Sequence, residues 1–178
     1  DSGVLAATLL REVIPGDVSQ IGRQLLCKLG SGESMASLAW QTDADEAKAV
    51  RTDGGWLLSG TWYPIGSAAT ADALLLSAAD EGGVLHLFWV PADSPGVQVQ
   101  PLKTLDPTRR SGRVVCQGVA LPSPYVLAEG LRLTTALERT QLLAAIALAG
   151  EQVGVAQQCL DITLAYTTER HQFDRPVA

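Results

Sequence analysis

Residues 134–178 read TTALERTQLLAAIALAGEQVGVAQQCLDITLAYTTERHQFDRPVA, and this stretch decides the fold. Its apolar side chains recur at alternating steps of four and three residues, which is the period of one helix face and not of a strand. A capping box of Thr135 and Glu138 predicts where the helix begins, and Pro176 predicts that it ends by about Gln172. The members of this helical seam are Leu142, Ile146, Ala149, Val153, Ala156 and Leu160.

Composition limits the kinds of molecule that this chain is expected to bind. With 178 residues the chain is long enough to bury a hydrophobic core, and its formal net charge is −6. Nucleic-acid binding is not expected, because phosphate neutralisation needs clustered basic residues and Arg109-Arg110 is the only adjacent basic pair. No membrane span is expected either, because Glu151 interrupts the longest apolar run before it reaches roughly 18 residues.

The cysteines predict the redox compartment of the protein, and the first residues predict whether the chain is a fragment. Cys27, Cys116 and Cys159 are odd in number and widely separated, so we expect reduced packing residues in a cytoplasmic protein, with no metal site. The chain opens on Asp1 without a basic signal region or an initiator methionine. The absence of the methionine predicts a fragment, a processed chain or an incompletely resolved one.

The order of predicted elements indicates an α+β fold. Two short amphipathic helices are predicted before residue 32, with apolar faces that include Leu9 and Leu25. Six short apolar or alternating runs then predict an antiparallel sheet, and Pro122 to Tyr125 are predicted to end it. Between two of these runs, Asp80 to Gly83 predict a hairpin turn. The runs cover residues 35–40, 56–59, 73–78, 84–90, 97–100 and 114–119.

The end of the chain resembles a segment of the acyl-CoA dehydrogenases. That family has the pattern Y-x-x-x-R-x-Q-F-G-x-P-I where the first helix of its C-terminal bundle closes, and residues 166–178 follow it with Asp174 in place of the glycine. Residues 55–60, 71–76 and 115–122 are similar to the family's G-x-x-L-N-G, A-D-x-x-L-V and V-x-F-x-x-V-x-V-P segments. The resemblance covers most of the chain.

The resemblance implies a domain organisation. Residues 1–34 would be the end of an N-terminal helical domain, residues 35–127 a middle β-domain, and residues 128–178 the start of a C-terminal helical bundle. It also implies FAD as cofactor, an acyl-CoA substrate and a homo- or hetero-oligomer. In this family the flavin lies between the β-domain of one subunit and helices of its neighbour.

The resemblance also implies cofactor-binding residues. Arg170, Gln172 and Phe173 match the family residues that reach the flavin pyrophosphate from the adjacent subunit, a use that suits the planar guanidinium of arginine. Thr42, Ile65 and Ser67 match the two β-domain segments that touch the flavin. Both segments depart from the family: the loop at residues 40–46 lacks Gly-Ser-Asp, and residues 64–66 read Pro-Ile-Gly where the family has Trp-Ile-Thr or Trp-Ile-Ser.

A catalytic base is not visible in the sequence. The family reaction needs a carboxylate to remove the α-proton of the thioester. Most members carry it late in the C-terminal bundle, which corresponds to a position beyond Ala178. Others carry it near the start of the long helix, where this chain has Ala144, and alanine cannot accept a proton. Glu151 is a weak candidate, because it is more readily explained as a solvated or paired helix residue.

Other residues have structural explanations that compete with functional ones. His171 is expected to be exposed, and His86 is expected on the outer face of its strand. Trp62 is expected in the core or on a sheet face, and the alternative is that it replaces the aromatic surface lost at Pro64. Residues 108–110 are expected to form a solvated turn, with contact to a CoA phosphate as the alternative.

Three functions remain open from the sequence. The first is an FAD-dependent acyl-CoA dehydrogenase. The second is a non-catalytic partner subunit of the same fold, which would lend Arg170 to the flavin of a competent subunit. The third is a flavin monooxygenase related to the same family, which the changed loop at residues 40–46 permits.

Overall fold

The computed structural model describes residues 2–14, 20–39 and 47–177. It comprises two compact units, residues 1–140 and residues 141–178. The helices are α1 (Ser2–Val13), α2 (Gln20–Ser31) and α3 (Gly130–Glu169). The strands are β1 (Ala36–Leu38), β2 (Lys48–Thr52), β3 (Gly55–Gly66), β4 (Ala73–Ala79), β5 (Leu85–Pro91), β6 (Val97–Leu102), β7 (Ser111–Pro122), β8 (Val126–Glu129), β9 (His171–Gln172) and β10 (Arg175–Pro176). Helices, then a block of strands, then a long helix confirm the predicted α+β class.

One sheet forms the centre of the first unit, with strand order β6-β7-β3-β2-β4-β5-β8. The pairings are antiparallel except those that β4 makes with β1 and β2. The predicted hairpin between β4 and β5 is confirmed, because the Asp80 amide donates to the Val84 carbonyl at 2.9 Å and the Gly83 amide to the Asp80 carbonyl at 3.0 Å.

Strands β4 and β5 are covered on both faces, which explains their nearly continuous apolar sequences. Leu74, Leu76 and Phe88 face one core cluster, which also holds Trp62. Leu75 and Leu87 face a second cluster, which is completed by side chains of α1 and the start of α3. The sequence prediction that placed His86 on an outer face is therefore wrong, because neither face of β5 is open and the histidine is 3% exposed.

Four strands were not predicted: β2 and β8 of the central sheet, and the two-residue strands β9 and β10. Strand β2 buries only Ala49, and its charged residues Lys48 and Arg51 hide the period of a strand. Strand β8 follows Pro122 and Pro124, which were predicted to end the sheet. Prolines mark the end of a strand, but they do not prevent a new strand a few residues later.

The long helix begins five residues earlier than the capping box predicted, at Gly130, whose φ is 62°. Thr135 lies inside the helix, so the prediction that it caps the N-terminus is wrong. Leu133 and Ala136 are buried in the second cluster, so tertiary packing extends the helix toward its N-terminus. Beyond Thr140, the members of the predicted seam are exposed: Leu142 by 66%, Ile146 by 69% and Val153 by 70%.

The three cysteines are reduced, but only one is a packing residue. Cys116 is 2% exposed, and burial raises the pKa of its thiol to about 12. Cys27 and Cys159 are exposed, which corrects the expectation that all three are packed. None of the helices in the described part of the chain is long and apolar enough to cross a bilayer.

Alkylation at mildly alkaline pH tests this difference. Because the thiolate is the reacting species, we expect iodoacetamide to modify Cys27 and Cys159 in the native protein and to leave Cys116 unmodified. Mass spectrometry of the intact protein and of its peptides measures the result, and denaturant serves as the control that exposes the third thiol. Rapid modification of native Cys116 would contradict its burial.

Candidate functional site

The end of β3 carries two of the predicted cofactor-binding residues. The side chain of Ile65 is fully buried in the first core cluster. Ser67 is partly exposed, has a φ of 57°, and donates its amide to the Arg110 carbonyl at 2.8 Å. The Ser67 hydroxyl forms no capping hydrogen bond to the short helical turn that follows. Only Ser67 of this pair therefore presents a side chain to a ligand.

Ser67 lies on the wall of a groove of about 530 Å³. Its remaining walls come from the turn at residues 68–70, the end of β6 and the loop that leads into β7. Most of the lining surface is apolar, and Lys103 and Arg110 add two cationic residues. Such a surface suits a flat, partly apolar ligand that carries negative charge.

A glycine brings the turn at residues 68–70 close to β7. A Cβ added to Gly112 would lie 3.0 Å from the Cβ of Ala68 and 3.4 Å from the Gln100 carbonyl oxygen. Gly112 also pairs with Ile65, so the absence of its side chain lets the end of β3 and the following turn approach β6 and β7. This approach creates one wall of the groove.

The loop before β7 is held by Asp106. The Asp106 carboxylate accepts hydrogen bonds from the Thr108 hydroxyl at 2.6 Å and the Thr108 amide at 2.8 Å, and these bonds lower its pKa. Arg109 Nε lies 3.8 Å from the same carboxylate, whereas Arg110 lines the groove. The basic pair seen in the sequence is thus divided between the loop and the groove.

Arg170, Gln172 and Phe173 are brought together in the second unit. Strands β9 and β10 form a two-residue hairpin immediately after α3, in which Gln172 pairs with Arg175. The Arg170 amide donates to the Tyr166 carbonyl at 2.9 Å, and its own carbonyl accepts from the Val177 amide at 2.9 Å. These bonds fix the backbone on both sides of Arg170, whose side chain is exposed.

The turn of this hairpin has positive φ at both central residues, 53° at Phe173 and 61° at Asp174. Two-residue hairpins need this conformation, and glycine supplies it without steric cost. The side chain of Phe173 is 95% exposed, so packing does not explain its presence there. Backbone strain of this kind is often retained at functional sites.

Relieving the strain should stabilise the hairpin. We expect Asp174→Gly to slow hydrogen exchange of the Val177 amide about fivefold, which corresponds to about 1 kcal/mol of left-handed strain removed. Asp174→Val should accelerate that exchange, because β-branched residues rarely adopt positive φ. Unchanged exchange in both variants would show that the turn is not strained.

The other predicted site residues lie elsewhere. Thr42 falls outside the described residues. Ala144 is partly exposed and Glu151 is exposed on α3.

Trp62 is fully buried and its Nε1 donates to the Ser77 carbonyl at 3.0 Å. This ring is therefore a core residue, and the alternative of an open aromatic surface is wrong. His171 is exposed, as predicted. The described residues contain no group of three side chains suited to a metal ion.

The groove offers a fit to part of a flavin nucleotide. Its apolar walls suit a planar ring system, and the Ser67 hydroxyl with Lys103 and Arg110 supplies hydrogen-bond donors for carbonyl or phosphate oxygens. Gly66 provides no hydroxyl where the family has one. Lys103 was not singled out from the sequence, because only the pairing of β6 with β7 brings it to this groove.

No family model matches the chain. A curated glutaryl-CoA dehydrogenase of Desulfococcus multivorans is 33% identical over 132 residues, which is 68% of this chain and 33% of that protein. A 2-methylacyl-CoA dehydrogenase of Solanum tuberosum is 25% identical over 98% of this chain and 46% of its own length. The chain therefore spans between a third and a half of these two relatives.

Solved structures show the same fold. The ChsE4-ChsE5 complex of Mycobacterium tuberculosis contains a chain with a TM-score of 0.81 and 28% identity, matched over 99% of this chain and 47% of its own. A glutaryl-CoA dehydrogenase of Mycobacterium smegmatis in complex with FADH2 has a TM-score of 0.83 at 24% identity, over 98% and 47% of the two chains.

Proposed function

This chain belongs to the acyl-CoA dehydrogenase family, and we propose that it is part of an FAD-dependent enzyme that introduces a double bond between the α- and β-carbons of an acyl-CoA. When bound, FAD would accept the hydride that leaves the β-carbon. The division into an N-terminal helical part, a β-domain and the first helix of a C-terminal bundle is part of this proposal.

The hairpin after α3 carries the proposal. Arg170 lies at the junction of helix and hairpin, and two hydrogen bonds fix its backbone there. The guanidinium group is planar and permanently charged, and it can bind two phosphate oxygens at once. We propose that Arg170 holds the flavin pyrophosphate and that Gln172 and Phe173 contact the same nucleotide.

The groove supplies the second contact in this proposal. The Ser67 hydroxyl would donate to a flavin ring carbonyl, and Lys103 and Arg110 would neutralise negative charge on the ligand. The side chain of Ile65 supports the strand from within the core, so its contribution is limited to its backbone.

The α-proton of the substrate needs a base that this chain does not clearly supply. Ala144 occupies one family position for the base and carries no titratable group. Glu151 is not without an interaction partner and remains the weaker candidate. We propose that the base comes from the part of the relatives that this chain does not span, or from a partner subunit.

A non-catalytic partner subunit is the second candidate function. Ala144, Pro64 and Gly66 each remove a group that the family uses for catalysis or flavin contact, which favours this candidate. The chain would then lend Arg170 to the flavin of a competent subunit. The fold is also shared with a chain of the ChsE4-ChsE5 complex, whose two components are named separately.

Colour distinguishes the two candidates. The protein is purified alone and after co-expression with a competent acyl-CoA dehydrogenase subunit. A yellow protein in isolation that bleaches on addition of acyl-CoA supports the first candidate. A colourless protein that acquires flavin only with its partner supports the second. Oxygen consumption with reduced flavin and no acyl-CoA would instead indicate monooxygenase chemistry.

A further inference from the structure

His86 lies in β5 with only 4% of its side chain exposed, between two carboxylates. Its Nε2 is 3.0 Å from Asp80 Oδ2 in the β4–β5 turn. The imidazole packs on the Trp56 ring, with 4.6 Å between the ring centroids. A buried polar ring of this kind needs a partner for each nitrogen.

The second nitrogen has a carboxylate within reach but no hydrogen bond. Nδ1 lies 3.2 Å from Glu129 Oε2, a distance that fits an ion pair. The same nitrogen is nonetheless buried without a partner that satisfies hydrogen-bond geometry. A neutral imidazole carries one N–H, so if Nε2 donates to Asp80, Nδ1 directs a lone pair at the Glu129 carboxylate. An imidazolium carries two N–H groups and can donate to both.

We propose that His86 is a proton-operated latch that joins the β4–β5 turn to the start of α3. With one proton the ring bonds only to Asp80, and with a second proton it also bonds to Glu129. Glu129 is the last residue of β8 and immediately precedes Gly130, where α3 begins. The latch therefore acts where strand β8 ends and helix α3 begins.

Most of the charged side chains around the imidazole are acidic. Asp80, Glu81 and Glu129 line the same cavity of about 350 Å³, and Arg51 is the cation among its walls, held 5.3 Å from the Trp56 ring centroid. The hydrogen bond from His86, followed by those from the Val84 and Gly82 amides, lowers the pKa of Asp80. Asp80 therefore stays ionised at neutral and mildly acidic pH and can accept a hydrogen bond from the imidazole.

Hydrogen exchange of the first hydrogen-bonded amides of α3, those of residues 134–137, tests the latch. Glu129→Gln should reduce their protection about three- to tenfold at about pH 5.5 and should not reduce it at about pH 8, after correction for intrinsic exchange rates at each pH. The sign follows because only the imidazolium has a second N–H to donate to Glu129, and a rise in pH favours the neutral ring, which lacks it. Two-thirds of the Glu129 side chain is exposed, so the variant is expected to fold.

Two variants complete the test. Glu81→Gln removes a carboxylate from the same cavity that has no contact with the imidazole among the described contacts, and it should change protection at neither pH. His86→Gln keeps one donor for Asp80 and should abolish the pH dependence. An equal effect of Glu129→Gln at both pH values, or no effect at either, would overturn the latch. These measurements do not involve flavin, so their outcome is independent of the proposed function.

Discussion

Replacing Arg170 with alanine is expected to weaken FAD binding by roughly 10- to 100-fold. A charge-assisted hydrogen bond contributes about 1.5–3 kcal/mol, and every 1.4 kcal/mol is a factor of ten in affinity. Isothermal titration or quenching of flavin fluorescence measures the dissociation constant, with the chain assembled with its partner if the partner is needed for binding.

The matched variants separate charge from geometry. Arg170→Lys keeps the charge but loses the planar fork, so its affinity should fall between those of the wild type and the alanine variant. Arg132→Ala removes another exposed arginine of α3 and should leave the affinity unchanged. Equal affinities for the wild type and Arg170→Ala would remove Arg170 from the site.

Trp62→Ala is expected to reduce the free energy of unfolding by about 3–5 kcal/mol. The ring is among the largest fully buried side chains of the described core, and its Nε1 donates to the Ser77 carbonyl. The alanine variant loses the apolar contacts, leaves a cavity and removes the partner of a buried carbonyl. Urea denaturation followed by far-ultraviolet circular dichroism measures the change.

Two further variants locate the origin of that loss. Trp62→Phe keeps much of the volume but removes the indole N–H, so we expect a smaller loss of about 2 kcal/mol. Leu57→Ala, at a side chain that is 38% exposed, should lose less than either. A Trp62→Ala protein as stable as the wild type would contradict the assignment of Trp62 to the core.

The fold was predictable where the sequence carried a local period. Runs rich in leucine and valine marked β4, β5 and β7, and Asp80 to Gly83 marked the turn between two of them. The short strand β2 was missed, because it buries a single alanine among charged residues. The start of α3 was misplaced, because the burial of Leu133 depends on partners in α1 that the local sequence does not reveal.

The candidate site was predictable only in part. The hairpin residues Arg170, Gln172 and Phe173 lie within four positions of one another, so a single motif identified them together. Lys103 and Arg110 are remote in sequence from Ser67, and strand pairing brings all three to one groove. The core position of Trp62 was predicted, whereas the burial of His86 follows from the two covered faces of the sheet, a tertiary property that alternation alone cannot predict.

The most direct test of the account is the visible absorbance spectrum of the purified protein. We expect the bands of oxidised flavin in the wild type, alone or with a competent partner subunit, and a marked loss of those bands in Arg170→Ala prepared in the same way. Absence of flavin from the wild type in both preparations would contradict the account, as would an Arg170→Ala protein that retains the full spectrum.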